Sequence, residues 1–232
     1  MILSIISDIH GNFPAFRAVM DVISSRVEKM LFLGDLCGYY PFVEECIGIW
    51  DEKQIIGVRG NHDQIFIDCM ESGREPDAEY EKKYGSALKR SLDDASERAR
   101  HIIMSMPQYR KIVFGDVTIG MYHGAPWDPL EGRVYPDFKD LERFGDVDVD
   151  IVLLGHTHYP MKLTYKDKLI VNPGSIGQPR DRILSASYAL LNTHSGEVEH
   201  QRIEYDPHVI IEDAKKNDPD NRYLVEVLKS YE

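Results

Sequence analysis

Residues 2–12 read ILSIISDIHGN, an apolar run that ends in Asp8 and His10. A short run of this kind, bounded by polar residues and glycine, is typical of a strand buried within a sheet. It is too short to cross a bilayer and lacks the basic start and cleavage site of a secretory signal. Residues 2–6 are therefore predicted to form a buried strand. In extended backbone beyond it, Asp8 and His10 would lie on the same side.

Five further strands are predicted from runs of similar composition. A helix is expected between the first two strands, because Pro14 suits a first-turn position and apolar residues then recur with helical spacing. Alternating strands and helices favour parallel strands, and ligands bind at the carboxyl ends of such strands. The five runs are residues 30–33, 55–58, 117–122, 151–154 and 169–171.

The middle of the chain is predicted to be helical and the later part to be rich in hairpins. Residues 64–106 carry an apolar stripe among charges, which indicates helices packed on the sheet or, alternatively, a cap over the substrate. Turn residues at 115–116, 166–167 and 195–196 predict β-hairpins, and two terminal helices are expected. No linker or repeat divides the sequence, so residues 1–232 are predicted to form a single domain.

The composition restricts the classes of function. With 27 basic and 39 acidic side chains, the 232-residue chain carries a formal net charge of −12, which disfavours binding of DNA or RNA. A phosphorylated substrate would also be repelled unless bound cations reversed the local charge. The three cysteines, Cys37, Cys46 and Cys69, form no Cys-x-x-Cys pair. We therefore expect neither a disulfide framework nor a zinc knuckle, and a reducing cytoplasm is the simplest location.

Five short polar motifs stand where predicted strands end. They contain five of the nine histidines, which a random scatter would rarely produce. Imidazole nitrogens with carboxylate or amide oxygens bind divalent transition metals, and ligands from several segments are needed to surround two ions. The set therefore predicts one dinuclear metal site. The motifs are Asp8-Ile9-His10, Gly34-Asp35, Gly60-Asn61-His62-Asp63, His123-Gly124 and Gly155-His156-Thr157-His158.

In this order, the motifs resemble those of the calcineurin-like metallophosphoesterase superfamily. The resemblance runs from residue 8 to residue 158, and motif sets of that length seldom arise by chance. It implies an α/β fold, a four-layer α/β/β/α sandwich of two mixed sheets flanked by helices, with the metal site at the carboxyl ends of the strands. It also implies a hydrolase of phosphoric esters, either a phosphodiesterase or a phosphatase.

The resemblance further implies how the ligands divide between two ions. A mixed imidazole and oxygen site suits manganese, iron, zinc, cobalt or nickel better than magnesium, and manganese is the favoured metal. Two such ions, roughly 3.5–4 Å apart, can hold a bridging water and present hydroxide in line with phosphorus. The implied ligands are Asp8, His10 and His158 for one ion, Asn61, His123 and His156 for the other, and a bridging Asp35.

His62 follows the implied ligand Asn61 without being a ligand itself. It is the side chain best placed to give the leaving oxygen a proton, and Asp63 would orient and charge-stabilise its ring. His62 and Asp63 are therefore the predicted catalytic pair. Small cyclic-phosphodiesterase relatives often replace this histidine with cysteine, so a proton donor for poorer leaving groups is retained in this chain.

The Gly-Asp motif departs from that of the protein phosphatases. Residues 34–40 lack the arginine that follows the bridging aspartate in that branch. The run 123–129 and the Asn-Pro-Gly-Ser stretch at 172–175 resemble a prokaryotic branch of predicted phosphodiesterases, some of them similar to diadenosine tetraphosphatases. The expected substrate is a small phosphodiester or phosphomonoester, and a nucleotide is one candidate.

Four side chains near the motifs are candidate substrate contacts. Asn12 and Arg180 are placed to donate to a phosphate, although a solvent-facing charge is an equal interpretation of the arginine. The rings of Tyr39 and Trp127 are expected either to stack on a nucleobase or to pack within the protein.

The leading hypothesis is a cytoplasmic two-metal phosphoesterase. One alternative is a non-catalytic metal-binding scaffold on the same fold, but all motif residues are retained. The other alternative is a nuclease, which the net charge of −12 disfavours. No membrane partner is expected, and the sequence leaves the oligomeric state open.

Overall fold

Two five-stranded sheets form the centre of the molecule. The computed structural model describes residues 1–52 and 54–229. Each of the six predicted strands is confirmed to within two residues at either end. The strands are β1 (Ile2–Ile6), β2 (Lys29–Phe32), β3 (Ile55–Gly57), β4 (Tyr109–Phe114), β5 (Val117–Tyr122), β6 (Ile151–Leu153), β7 (Pro160–Tyr165), β8 (Lys168–Pro173), β9 (Ala186–Asn192) and β10 (Glu197–Ile203).

Both sheets are mixed, as predicted. The first has the order β10-β9-β1-β2-β3, in which β1, β2 and β3 are parallel and β9 and β10 are antiparallel. The second has the order β4-β5-β6-β8-β7, with β5, β6 and β8 parallel. The predicted turns join β4 to β5, β7 to β8 and β9 to β10.

The sheets pack face to face through fully buried side chains. Leu3, Ile5 and Leu31 of the first sheet share one hydrophobic cluster with Ile119 and Met121 of the second. Alternation along each strand sends the neighbouring side chains to the outer faces. Helices cover the outer face of the first sheet, while an irregular segment with a 3₁₀ turn covers that of the second.

The helices begin and end at residues with clear local reasons. The predicted helical region 64–106 is four helices, because Gly73 in left-handed helical backbone ends one of them and Gly85, at another positive-φ conformation, ends the next. Asp77 and Ser96 cap two of the following helices at their N-termini. The helices are α1 (Phe13–Ile23), α2 (Val43–Gly48), α3 (Asn61–Ser72), α4 (Ala78–Tyr84), α5 (Ala87–Asp94), α6 (Glu97–Ser105), α7 (His208–Asn217) and α8 (Tyr223–Glu226).

Helix α7 is tied to the junction between α4 and α5. The guanidinium of Arg90 donates to both carboxylate oxygens of Asp213, at 2.9 and 2.7 Å. The backbone and side chain of Ser86 donate to Asp218, at 2.7 and 3.0 Å. Bidentate and charge-assisted bonds of this kind fix orientation as well as distance. The C-terminal helices therefore hold the end of α4 in place.

Among the described residues, no helix has the length and apolar composition that a membrane crossing requires.

We expect Leu31→Ala to lower the free energy of unfolding by about 2–5 kcal/mol, because it leaves a cavity between the two sheets. Leu31 is fully buried, whereas Val113 on the edge strand β4 is 62% exposed. The matched control Val113→Ala is expected to change stability by less than about 0.5 kcal/mol. Urea denaturation followed by circular dichroism measures both. Equal losses in the two variants would contradict the assigned core.

Candidate metal centre

Loops from both sheets bring the predicted ligands together. The N–H of Asp8, after β1, donates to the carbonyl of Gly34, after β2, at 2.9 Å. The N–H of Gly155, after β6, donates to the carbonyl of His123, after β5, at 2.8 Å. The carboxyl ends of neighbouring parallel strands therefore meet within each sheet, as the topology predicts. The N–H of His156 donates to Oδ2 of Asp8 at 3.2 Å, which joins the two sheets at this edge.

Most of the predicted ligands lie in unusual backbone. The extended geometry expected for Asp8 and His10 is wrong, because both residues turn the chain in the left-handed region. Non-glycine residues adopt this region at an energetic cost, and such residues cluster at functional sites where surrounding contacts hold them. The φ angles are 54° for Asp8, 51° for His10, 61° for Asp35, 65° for His156 and 64° for His158.

Asp8, His10 and His158 form a first buried group of donor atoms. The Nδ1–H groups of His10 and His158 donate to the carbonyls of Cys37 and Gln178, at 2.9 and 2.6 Å. A carbonyl oxygen only accepts, so each neutral ring keeps its lone pair on Nε2. These two Nε2 atoms lie 3.1 Å apart. Oδ1 of Asp8 lies 3.2 Å from Nε2 of His158. This Oδ1 atom is buried and has no hydrogen-bond partner.

A second group surrounds His123. Its Nδ1–H donates to the carbonyl of Leu33 at 2.8 Å, which leaves Nε2 facing the site. That Nε2 lies 3.1 Å from Nδ1 of His156, 3.1 Å from Oδ1 of Asn61 and 3.3 Å from Oδ2 of Asp35. Nitrogen and oxygen donors thus converge on one point here as well.

Asp35 lies between the two groups. Its Oδ2 atom is 3.7 Å from Nε2 of His10 and 3.3 Å from Nε2 of His123. Its Oδ1 atom accepts the backbone N–H of His62 at 2.9 Å. Gly60 packs directly against this carboxylate, since a Cβ atom at that position would stand 2.1 Å from Oδ1. The Asp35 carboxylate therefore faces both groups of donor atoms.

Burial and mutual charge set the protonation of this cluster. Burial opposes ionisation of Asp35, but the imidazoles beside it, His123 first, hold its pKa well below the usual range. Burial lowers the pKa of His10, and it lowers that of His156 to about 3, so both rings are neutral. For His123, the Asp35 carboxylate outweighs burial and raises the pKa to about 9.

The donor atoms fit divalent transition metals. Two imidazole lone pairs that face each other at 3.1 Å repel unless a cation lies between them. The unpartnered Oδ1 of Asp8 also calls for a cation beside it, because an unsatisfied buried carboxylate oxygen is costly. Imidazole nitrogens, held by a hydrogen bond at the other ring nitrogen, are typical of metal ligands. Asp8, His10 and His158, and separately Asp35, His123 and His156, have donor atoms close enough to hold an ion.

His62 lies beside this cluster, and its partner is a tyrosine. Its Nδ1 atom is 2.5 Å from the hydroxyl of Tyr80 on α4. The rings of Tyr84 and Tyr39 pack on it, with centroids at 4.7 and 5.4 Å. Burial lowers the pKa of His62 to about 4. Sequence reasoning missed Tyr80 and Tyr84, because both lie in the helical region without a motif around them.

Asp63 does not have the predicted role of orienting the His62 ring. Its carboxylate accepts three backbone N–H groups instead, from Asp35 at 2.8 Å, Cys37 at 3.0 Å and Gly60 at 3.0 Å. Burial raises the pKa of Asp63 to about 6, against the opposing effect of these hydrogen bonds. Asp63 therefore shapes the loop that carries Asp35, and it acts on the site through backbone.

Asn12 is not available to a substrate. It is fully buried, and its side-chain oxygen caps α1 by accepting the N–H of Ala15 at 3.2 Å. Its amide group donates to the carbonyl of Gly177 and the hydroxyl of Tyr205, at 2.8 and 3.1 Å. The predicted phosphate contact is therefore wrong, because local capping and a long-range bond use the whole side chain.

Trp127 also lies away from the metal cluster. Its ring packs against Phe138 and Phe144, with centroids at 5.9 and 5.1 Å, and the guanidinium of Arg143 lies 3.7 Å above it. These contacts belong to the cluster on the outer face of the second sheet. The packing interpretation of Trp127 is therefore the one that the structure supports.

A cavity of about 310 Å³ opens beside the metal cluster. The predicted contacts Tyr39 and Arg180 line it, and Arg180 donates to the Tyr39 hydroxyl at 2.8 Å. Sequence reasoning missed the other cavity-lining residues, which stand in loops or helices outside the motifs. The only sequence signal for two of them, Arg133 and Tyr135, is that they follow the His123 motif in the chain. The missed lining residues are Lys83, Tyr84, Arg133 and Tyr135.

Comparisons with known proteins identify the family. The profile of the calcineurin-like phosphoesterase superfamily domain matches residues 1–196. An uncharacterized protein of Methanocaldococcus jannaschii, MJ0912, is 29% identical over 240 residues, which cover 93% of this chain and 92% of that protein. The chain belongs to the calcineurin-like phosphoesterase superfamily, whose members hydrolyse phosphoric esters in a metal-dependent reaction.

Solved structures agree with this assignment. A metallophosphoesterase from Sphaerobacter thermophilus superposes with a TM-score of 0.77 at 27% identity, covering 99% of this chain and 98% of its own. The hypothetical protein PH1004 from Pyrococcus horikoshii has a TM-score of 0.81 at 23% identity, with the same coverage of 99% and 98%. Because PH1004 is 23% identical, its similarity establishes the fold alone, and that fold is the predicted one.

We expect Gly60→Ala to weaken Mn²⁺ binding by about 10–100-fold, because the new methyl group displaces the Asp35 carboxylate. The control is Gly48→Ala, since no atom lies within 4 Å of a Cβ at that position. Calorimetric titration of metal-stripped protein measures the affinity, and circular dichroism verifies that each variant is folded. Unchanged affinity in folded Gly60→Ala would argue against Asp35 as a ligand.

Proposed function

We propose that this protein is a two-metal phosphoesterase that hydrolyses a small phosphodiester or phosphomonoester. The observation that carries the proposal is the meeting of imidazole lone pairs and the unpartnered Asp8 oxygen on both sides of Asp35. We assign Asp8, His10 and His158 to one ion and Asn61, His123 and His156 to the other. Asp35 bridges them.

Manganese is the metal we propose, with iron, zinc, cobalt and nickel as the other candidates. Imidazole-rich sites with carboxylate and amide oxygens suit these ions, and supply in the cell contributes to the choice. Two divalent ions would supply Lewis acidity, a lowered pKa for a coordinated water and a positive charge that exceeds the two ligand carboxylates. That charge would reverse the local sign at the site for a phosphorylated substrate, although the chain as a whole carries −12.

The cavity supports a small anionic substrate. Arg180 is held by Tyr39 and Gln178, so its guanidinium is fixed before a substrate arrives. A fixed planar guanidinium is suited to hold two phosphate oxygens at once. Lys83 and Arg133 add positive charge at the cavity from two further segments. The tyrosines there give flat surfaces for a nucleobase, which makes a nucleotide the substrate we favour.

His62 is the residue that we propose as proton donor to the leaving oxygen. It lines the cavity beside Asp35 and His158. A bound phosphate favours the protonated ring, because an opposite charge nearby stabilises the imidazolium. Its Nδ1 side faces Tyr80, which leaves Nε2 for the substrate.

We further propose that residues 1–232 form one metallophosphoesterase domain and that α3–α6 cap the site. The support for the cap is that α4 contributes Lys83 and Tyr84 to the cavity. The cytoplasm is the location we propose, since Cys37, Cys46 and Cys69 are all unpaired thiols.

Removal of metal tests the proposed function. We expect protein stripped with a chelator to lose hydrolysis of p-nitrophenyl phosphate and bis(p-nitrophenyl) phosphate, and Mn²⁺ to restore it, because the ions supply the nucleophile's activation. The measurement is p-nitrophenolate release, with metal content determined by elemental analysis. Full activity in metal-free protein would exclude the mechanism. No activity with any metal would favour a binding scaffold.

We expect His62→Ala to slow hydrolysis of phenyl phosphate by about 10²–10⁴-fold, and that of p-nitrophenyl phosphate much less, because only the poorer leaving group needs a proton. The control is His101→Ala on the exposed side of α6. Steady-state kinetics on the two esters, with metal content measured for each protein, separates proton donation from loss of metal. Equal losses on both esters would remove His62 from this role.

A further inference from the structure

We propose that Tyr80 is a positioning residue that holds His62 in the tautomer whose Nε2–H faces the substrate. This inference rests on the proposed function of His62 as proton donor. Tyr80 comes from α4, a helix in the region expected to cap the site.

The contact between the two side chains is short and enclosed. The Tyr80 hydroxyl lies 2.5 Å from Nδ1 of His62, and only 8% and 4% of the two residues is exposed. Among the described residues, the hydroxyl has no second hydrogen-bond partner. Burial raises the pKa of Tyr80 well above its ordinary value, so the phenol keeps its proton. That proton is therefore directed at Nδ1.

The type of partner separates His62 from three of the four implied histidine ligands. His10, His123 and His158 each donate Nδ1–H to a backbone carbonyl, which leaves a lone pair on Nε2. A hydroxyl, in contrast, can donate to Nδ1, and the hydrogen of the neutral ring then stands on Nε2. The same residue type thus presents a metal-binding atom at three positions and a hydrogen-bond donor at the fourth.

Two further tyrosines fix the orientation of the His62 ring. The rings of Tyr39 and Tyr84 restrict rotation of the imidazole from two sides. Asp63, which sequence reasoning assigned to this task, is occupied by backbone amides.

The first test reads the tautomer without any turnover. Zinc-loaded protein labelled with ¹⁵N is compared as wild type, Tyr80→Phe and the control Tyr188→Phe, a buried tyrosine in β9. His62→Ala identifies the His62 signals. We expect a protonated Nε2 and an unprotonated Nδ1 in wild type and control, and a mixture of tautomers in Tyr80→Phe. The same tautomer in all three proteins, or Nδ1–H in wild type, would overturn the proposal.

The second test is a double-mutant cycle with two leaving groups. We expect Tyr80→Phe to lower kcat for phenyl phosphate by about tenfold and for p-nitrophenyl phosphate by less than about threefold, with KM within about twofold. In the His62→Ala background, Tyr80→Phe should cause no further loss. Equal losses on both esters, or losses that multiply in the double variant, would show a structural role instead. If wild type hydrolyses no ester, the proposed function fails while the tautomer measurement still decides the role of Tyr80.

Discussion

The metal cluster depends on hydrogen bonds between imidazole Nδ1–H groups and backbone carbonyls. The carbonyls of Leu33 and Cys37 belong to the loop after β2 of the first sheet, and that of Gln178 belongs to the loop after β8 of the second. Each bond fixes a ring, selects its tautomer and aims a lone pair at the centre. The same bonds join loops distant in sequence, because the partners of His123 and His10 are 90 and 27 residues away. The same hydrogen bonds therefore set the ligand geometry and hold the loops together.

This arrangement has an energetic cost, which stabilising contacts in the rest of the fold offset. Five of the seven non-glycine residues with positive φ among the described residues are implied ligands. Such backbone is maintained only where neighbouring contacts leave no alternative, and the three amides on the Asp63 carboxylate are contacts of that kind. Repulsion between facing lone pairs and the unpartnered oxygen of Asp8 add to the cost. Binding of cations relieves both, which couples metal affinity to stability.

Sequence reasoning located the strands and the implied ligands because both are local signals. An apolar run marks a strand, and a polar motif at its end marks the site edge. The failures share one cause, which is that a side chain's partner depends on segments far along the chain. The Asn12 amide donates to the carbonyl of Gly177, and the Asp63 carboxylate accepts the N–H of Asp35. The Trp127 ring packs against Phe144. Tyr80 was missed because a lone tyrosine in an amphipathic helix carries no pattern that separates it from core packing.

The contacts between α7 and the start of α5 allow the lining of the cavity to change independently of the metal ligands. The family profile matches residues 1–196, whereas Asp213 and Asp218 hold the chain just after α4 from beyond that range. Tyr84 and Lys83 at the end of α4 face the cavity. Changes in the C-terminal helices can therefore move the substrate-facing side of the site while every ligand stays in place. Descendants of one such enzyme can diverge in what they accept through residues that the family profile does not contain.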